Sequence, residues 1–191
     1  MLYLASASPR RAELLSQIGV QFKTLSMDID ETARAGESAE DLALRLSREK
    51  ALKAVAMLAD LSSDEWVLAG DTLISLDDQI LAKPASPAEC AAMLRQLSGR
   101  EHEVVSAIAL SNEQGEIMQA CSHNVIRFRA LDEAEIERYC ASAEPMDKAG
   151  SYAIQGRAAI FIEHLSGSYS SVMGLPLFET AQLLKQAGYP F

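Results

Sequence analysis

The stretch Leu2-Tyr3-Leu4-Ala5 is apolar from end to end, and the chain then passes directly into the apolar period of a helix at Leu14, Leu15 and Ile18. A short, uninterrupted apolar run reads as a buried strand, and strands of that kind belong to sheets covered by helices. The pattern returns at Trp66-Val67-Leu68-Ala69, a run of the sort found in central strands. Between the first strand and its helix lies Ser6-Ala7-Ser8-Pro9-Arg10-Arg11. Pro9 lacks an amide that the first helical turn would leave unpaired, so Ser8-Pro9 reads as N-cap followed by first helical position. Such a turn gathers free N–H groups and the positive end of a helix dipole at one spot. With two hydroxyls and two arginines beside it, that spot can receive phosphate. An ordinary capped helix with solvated arginines has the same sequence, so the reading needs support from elsewhere in the chain.

Further along, residues 20–25 alternate weakly as a second strand, and Asp28-Ile29-Asp30-Glu31-Thr32 forms an acidic loop. Glu37-Ser38-Ala39-Glu40 opens a long helix with apolar positions at Leu42, Leu44, Leu46, Ala51, Ala54 and Leu58, and Lys50 lies within it. After Ala69 the apolar run breaks at Gly70-Asp71-Thr72 and resumes at Leu73-Ile74-Ser75-Leu76. Asp77-Asp78 is a hairpin turn into residues 79–82, followed by Lys83-Pro84. Pro87–Leu97 is an amphipathic helix stopped by Ser98-Gly99-Arg100. Residues 102–110 and Ile117–Phe128 are two strands joined by a turn, 131–141 is a helix, and 144–156 is a polar, glycine-bearing loop with some extended structure. A strand at 158–163, a hydroxyl-rich loop at 166–171 and a helix from Leu175-Pro176 to about Ala187 complete the prediction. Helices and strands interleave, but the middle pair is antiparallel, which favours a mixed α/β sheet.

Composition narrows the function. The 191 residues fit a single domain over 1–191, with or without two lobes. No apolar run approaches the roughly 20 residues that span a bilayer, and no signal-peptide pattern opens the chain, so cytoplasmic residence and no membrane partner are expected. Cys90, Cys121 and Cys140 are scattered and odd in number, and are expected to be reduced and structural. His102, His123 and His164 have no zinc-ligand spacing. A net charge of −10 and a single tryptophan argue against a nucleic-acid partner, yet leave room for a small phosphorylated ligand in a locally basic cleft. Carboxylates beside such a cleft would suit a hard cation such as Mg²⁺.

Gly70-Asp71-Thr72 is the sharpest single signal. An aspartate just after a buried strand sits where α/β proteins keep their ligands, and it can take a proton from water or hold a divalent cation. A plain turn would use the same residues. Asp28, Asp30 and Glu31 fit a solvated loop as well as a metal site, and Lys50 and Lys83 fit surface positions as well as a site. Asp147-Lys148-Ala149-Gly150 and Gln155-Gly156 place polar groups in a loop that could face a cleft, and a glutamine amide suits the edge of a pyrimidine.

Together these pieces resemble one family. Leu4-Ala5-Ser6-Ala7-Ser8-Pro9-Arg10-Arg11, Arg48-Glu49-Lys50-Ala51, Gly70-Asp71-Thr72, Lys83-Pro84, Leu97-Ser98-Gly99-Arg100, Asp147-Lys148-Ala149-Gly150, Ile154-Gln155-Gly156 and Gly174-Leu175-Pro176-Leu177 resemble, in order and spacing, the Maf family of nucleoside triphosphate pyrophosphatases. The Ser8-Pro9-Arg10-Arg11, Asp71-Thr72 and Tyr152-Ala153-Ile154-Gln155-Gly156 combination is similar to the branch acting on dTTP and UTP. The resemblance implies a mixed α/β fold related to the inosine triphosphate pyrophosphatases, with an elongated central sheet flanked by helices and a cleft between two lobes. It implies hydrolysis of a nucleoside triphosphate, canonical or modified, to the monophosphate and pyrophosphate, with Mg²⁺ or Mn²⁺ and a homodimer.

By motif position Asp71 would be the proton acceptor. Ser6, Ser8, Arg10, Arg11, Lys50 and Lys83 would line the triphosphate path. Glu31 would join Asp71 at the cation, and Arg10, Thr72 and Gln155 would set base preference. Two departures stand out. Val105-Ser106-Ala107 replaces a common Thr-Gly strand end, and Ala7 replaces a glycine between the two serines; activity is expected to survive both. The rival reading is a non-catalytic nucleotide sensor that regulates septation through a partner.

Overall fold

The computed structural model describes residues 1–58, 61–62, 64–142 and 144–190. Its strands are β1 (Leu2–Ala5), β2 (Phe22–Leu25), β3 (Trp66–Leu76), β4 (Gln79–Leu81), β5 (Glu101–Ser111), β6 (Ile117–Phe128) and β7 (Ile162–Ser166). They form one mixed sheet in the order β2-β1-β3-β5-β6-β7, with β4 also on β3. The β2-β1-β3 segment is parallel and the rest antiparallel. The helices are α1 (Pro9–Gln17), α2 (Ala39–Met57), α3 (Pro87–Leu97), α4 (Glu133–Cys140), α5 (Tyr169–Met173) and α6 (Leu177–Gln186).

The sheet parity divides the core. Trp66 and Leu68 of β3 point to one face, where Leu14 and Leu15 of α1 and Leu183 and Leu184 of α6 cover them. Val67 and Ala69 point to the other, where the small Ala51 and Ala54 let α2 lie close. A separate cluster at the far end of β3 gathers Ile74, Leu76, Leu81, α3, α4 and the rings of Phe128, Tyr139, Tyr152 and Phe161. The two lobes share the long strands β3, β5 and β6.

The cleft between the lobes is a gap in strand pairing. One edge of β3 is paired by β5 from Val67 to Ser75. On the other edge β1 pairs only as far as Ala69, and β4 begins only at Ile74. Among the described residues, none pairs as a strand with residues 70–73 on that edge. The chain of β1 leaves the ladder at Ser6, and α1 starts there.

Several expectations are corrected. β3 does not stop at Ala69 but runs through Gly70-Asp71-Thr72, because β5 supplies a continuous ladder and each polar side chain finds a partner. Residues 157–161 form a 3-10 turn rather than a strand: Ala158 and Phe161 face inward at i, i+3 while Ile160 is 69% exposed, and the strand follows at Ile162–Ser166. The hydroxyl-rich segment is not all loop, since the Ser168 side chain accepts from the Ser171 amide and opens α5. The 144–156 loop is built from short 3-10 turns with no strand. Finally, Cys90 and Cys140 are not reduced. They close a disulfide between α3 and α4 with Cα atoms 5.8 Å apart, and Cys121 alone is free among the described residues. A sequence separation of 50 hid the pair, which only the packing of the two helices brings within bonding reach.

Candidate functional site

Asp71 follows Val67 and Ala69 in parity and so faces α2. There Lys50 continues the buried stripe Leu42-Leu46 by one more step of four residues, which turns its side chain toward the sheet instead of solvent. The Lys50 ammonium donates to Asp71 Oδ1 and to Glu31 Oε1, each at 2.6 Å. Lys50 and Asp71 are both buried, whereas the Glu31 side chain is 49% exposed. Burial pushes the Glu31 carboxyl upward, but the Lys50 hydrogen bond and charge, helped by Lys83 and Arg11, hold it below its ordinary value.

Glu31 reaches this point because α2 clamps its loop. The Arg45 guanidinium donates to both Glu37 carboxylate oxygens at 2.7 and 2.8 Å and to the Thr32 carbonyl at 3.0 Å. Of the three carboxylates of the acidic loop, only Glu31 lines the cleft; Asp30 accepts from the Thr32 amide, and Lys53 donates to the Asp28 carbonyl. Arg45 escaped the sequence reading, although a helix arginine eight residues from Glu37 gave no signal that could have found it.

Thr72 has the opposite parity and faces α1. Arg11 precedes Leu14 and Leu15 by three and four residues, so it starts the core-facing stripe of α1 and turns inward with them. Its guanidinium donates to the Gly174 carbonyl at 2.7 Å, to Ser6 Oγ at 3.2 Å and to Thr72 Oγ1 at 3.4 Å. Burial lowers the Arg11 pKa, Asp71 opposes that shift, and a guanidinium stays charged at neutral pH regardless. Ser106 donates to the Ser171 carbonyl at 2.7 Å, so the 2.8 Å contact between Thr72 and Ser106 has Thr72 as the donor. The Thr72 proton is thus committed beneath the site, and the chain Arg11 to Thr72 to Ser106 runs one way. Ser106, one of the departures, supplies the hydroxyl this relay uses.

Ser6 Oγ accepts from both Arg11 and the Ser8 amide, the latter at 3.1 Å, which leaves its own proton for a ligand. As expected, Ser8 is the N-cap and Pro9 follows at the start of α1; the Ser8 side chain makes no cap bond, and the Ser8 amide is taken up by Ser6 Oγ. Ala7 is exposed at the cleft and takes no positive φ, so the backbone there does not require glycine. Gly70 sits tightly instead, since a Cβ there would press on the Ala107 carbonyl at 3.2 Å and reach ordinary contact with the Arg11 Nε at 3.5 Å.

The other lobe closes the cleft. Gly150, at φ +64°, lies against Ile74 and donates its amide to the Ala82 carbonyl, which holds the Lys83 segment to the 144–156 loop. Asp147 stands 3.9 Å from Arg10 across the opening, an exposed contact worth little and easily exchanged for phosphate. Gln155 is exposed on a turn secured by Glu144, whose carboxylate accepts from Tyr139 at 2.9 Å and from the Arg157 amide at 3.0 Å. A Cβ on Gly156 would fall 2.2 Å from Glu144 Oε1, so a larger residue there would push the Glu144 carboxylate off the turn it secures.

Ser6, Ser8, Arg10, Arg11, Glu31, Lys50, Asp71, Thr72, Lys83 and Gln155, which the family resemblance assigns to a common site, all line one cleft of about 860 Å³. Asp147 and Lys148 line it too. Five cations face three carboxylates there, a local excess of positive charge in a chain of net charge −10. Field focusing in a low-dielectric cleft then draws anions to this point of an acidic protein. A smaller concavity of about 540 Å³ at the amino end of β3 has no lysine or arginine in its wall among the described residues.

The donors also suit a divalent ion. Asp71 and Glu31 each engage Lys50 through one oxygen, and Asp71 Oδ2 and Glu31 Oε2 have no protein partner among the described residues. Two hard carboxylate donors, with water and phosphate oxygens completing the shell, fit Mg²⁺ or Mn²⁺.

Residues 1–187 match the family model described as Maf-like protein. The dTTP/UTP pyrophosphatase of Aromatoleum aromaticum is 50% identical over 199 residues, covering 99% of this chain and 96% of that protein. That of Xanthomonas euvesicatoria is 48% identical over 188 residues, covering 98% and 99%, and that of Shewanella oneidensis is 48% identical over 192 residues, covering 98% of each. A HAM1 protein from Coxiella burnetii shares the fold at a TM-score of 0.52, covering 97% of this chain and 98% of that one, at 16% identity. With the family model matched over nearly its whole length and relatives at about half identity, the chain belongs to the Maf family.

Proposed function

We propose that this chain hydrolyses dTTP and UTP, or modified pyrimidine triphosphates, to the monophosphate and pyrophosphate. The observation that carries the reading is the pairing of Asp71 and Glu31 around Lys50 on one wall of a cleft whose other surfaces hold Arg10, Arg11 and Lys83. A triphosphate brings about four negative charges, which these side chains and the α1 amino terminus neutralise. Asp71 accepts the proton of the attacking water, and Lys50 keeps that carboxylate oriented. Arg11, held by Gly174 and Thr72, is preorganised to receive phosphate, and Ser6 donates its free proton beside it. Glu31 and Asp71 would hold Mg²⁺ or Mn²⁺, which supplies charge neutralisation and a polarised water. Gln155, on its secured turn, reads the pyrimidine edge with one donor and one acceptor.

The reading includes a cytoplasmic homodimer acting on free nucleotides, with neither nucleic acid nor membrane as partner. A pyrophosphate-release assay over a panel of ribo- and deoxynucleoside triphosphates, with Mg²⁺ and with Mn²⁺, tests it. Release is expected to be greatest with dTTP and UTP. Saturable nucleotide binding with no release would make the chain a sensor and overturn the reading.

A further inference from the structure

Outside the cleft, three metal-ligating side chains meet on the α2 face of the sheet. Cys121 and His123 are two residues apart on β6 and so project from the same face, and Glu40 in the first turn of α2 lies over them. Their ligand atoms all fall within 4.8 Å of one another, and His123 Nε2 stands 3.4 Å from Glu40 Oε2. None of the three lines the cleft described above.

We propose that Glu40, Cys121 and His123 form a second cation site, for a borderline-soft divalent ion such as Zn²⁺ or Co²⁺, with a fourth position open to water. Nitrogen, oxygen and sulfur donors together select such ions over Mg²⁺ and Mn²⁺, which prefer oxygen alone. Tetrahedral zinc places its ligand atoms about 3.5 Å apart. The glutamate–histidine contact already meets that spacing, and rotation of the two exposed side chains closes the rest. Binding forms a metal–sulfur bond as the Cys121 thiol gives up its proton to solvent.

The register places the site relative to the catalytic wall. Ala107 is the partner of both Asp71 on β3 and Cys121 on β6, so all three share one cross-strand row and one face. Two strand spacings put Cys121 roughly 10 Å from Asp71. An ion there ties the amino-terminal turn of α2 to β6, and α2 is the helix that carries Arg45 and Lys50.

Titration of the full-length chain with Co²⁺, in the absence of reductant, tests the site by thiolate-to-cobalt absorption. The band is expected to saturate at one equivalent, to be abolished by Zn²⁺ and to persist in excess Mg²⁺. Cys121→Ser should lose it entirely, and His123→Ala and Glu40→Gln should each weaken binding about tenfold or more. With Zn²⁺ at one equivalent and excess Mg²⁺ filling the cleft carboxylates, thermal melting should rise more in the wild type than in His123→Ala, which reports on the site even where the cysteine variant folds poorly. Absence of the thiolate band, its survival in Cys121→Ser, or wild-type affinity in His123→Ala would overturn the proposal.

Discussion

Replacing Lys50 by methionine keeps the apolar stem of the side chain as far as Cε and removes the charge that two carboxylates share. At 2.6 Å and an effective dielectric of about 20, each ion pair has a gross attraction of about 6 kcal/mol. Most of that is offset by removing the charges from water. The loss on deleting one partner is set instead by the carboxylate left behind, about 3–5 kcal/mol for a buried pair. Asp71 is as buried as Lys50, but Glu31 is half exposed and contributes little. Lys50→Met should therefore cost about 3 kcal/mol, the lower end of that range. Urea unfolding in EDTA measures it, because a divalent ion would stand in for the ammonium; the midpoint should fall with the slope unchanged. On an Asp71→Asn background the same substitution should cost only about 1 kcal/mol, since the buried charge has already gone. Equal costs in the two backgrounds, or a loss below about 1 kcal/mol in the first, would refute the reasoning.

Three further outcomes follow from other parts of the molecule. Gln155→Ala should lower the ratio of UTP to purine triphosphate turnover with little change in melting temperature, and Gly156→Ala should lower the same ratio by displacing Glu144 and loosening the turn, with a drop in melting temperature as well; an unaltered ratio in both would remove Gln155 from base reading. Burial presses the His102 imidazole down to about 4, so the folded protein keeps it neutral while the unfolded chain protonates it near 6.5. Its contribution is complete above pH 6.5 and is lost as pH falls toward 4, a difference on the order of 3 kcal/mol that should be absent from the pH profile of His102→Gln. Thiol titration of the chain unfolded without reductant should find one reactive group, Cys121, and three after reduction; three at the outset would contradict the Cys90–Cys140 bridge.

Much of this architecture was legible because the local signals are strong. Pro87–Leu97 and Ile117–Phe128 were located to the residue, the first by its proline and glycine punctuation and the second by its length and the turn before it. Beyond that, legibility failed wherever a partner distant in sequence decides the outcome. Gly70-Asp71-Thr72 looks like a strand end because three non-apolar residues interrupt the run; only β5, Lys50 and Ser106 make it strand interior. Ala158 to Phe161 is apolar enough for a strand, and packing of its i, i+3 pair chose a 3-10 turn instead. The site residues were gathered by family resemblance rather than by pattern. Lys50 was the exception in principle, since its place four residues after Leu46 puts a cation on the buried stripe of a helix. The Arg11-Thr72-Ser106 relay joins three elements and left no trace in spacing.

The most direct test compares pyrophosphate release from dTTP by the wild type and Asp71→Asn, with nucleotide binding measured on both. The amide is the same size as the carboxylate and can still accept from Lys50, so the fold and the basic surfaces should survive. Turnover should fall by about 10²–10⁴-fold, the contribution of a positioned general base, while nucleotide binding is retained. Release by Asp71→Asn at close to the wild-type rate would contradict the account, because the cleft would then do its chemistry without the carboxylate around which it is built.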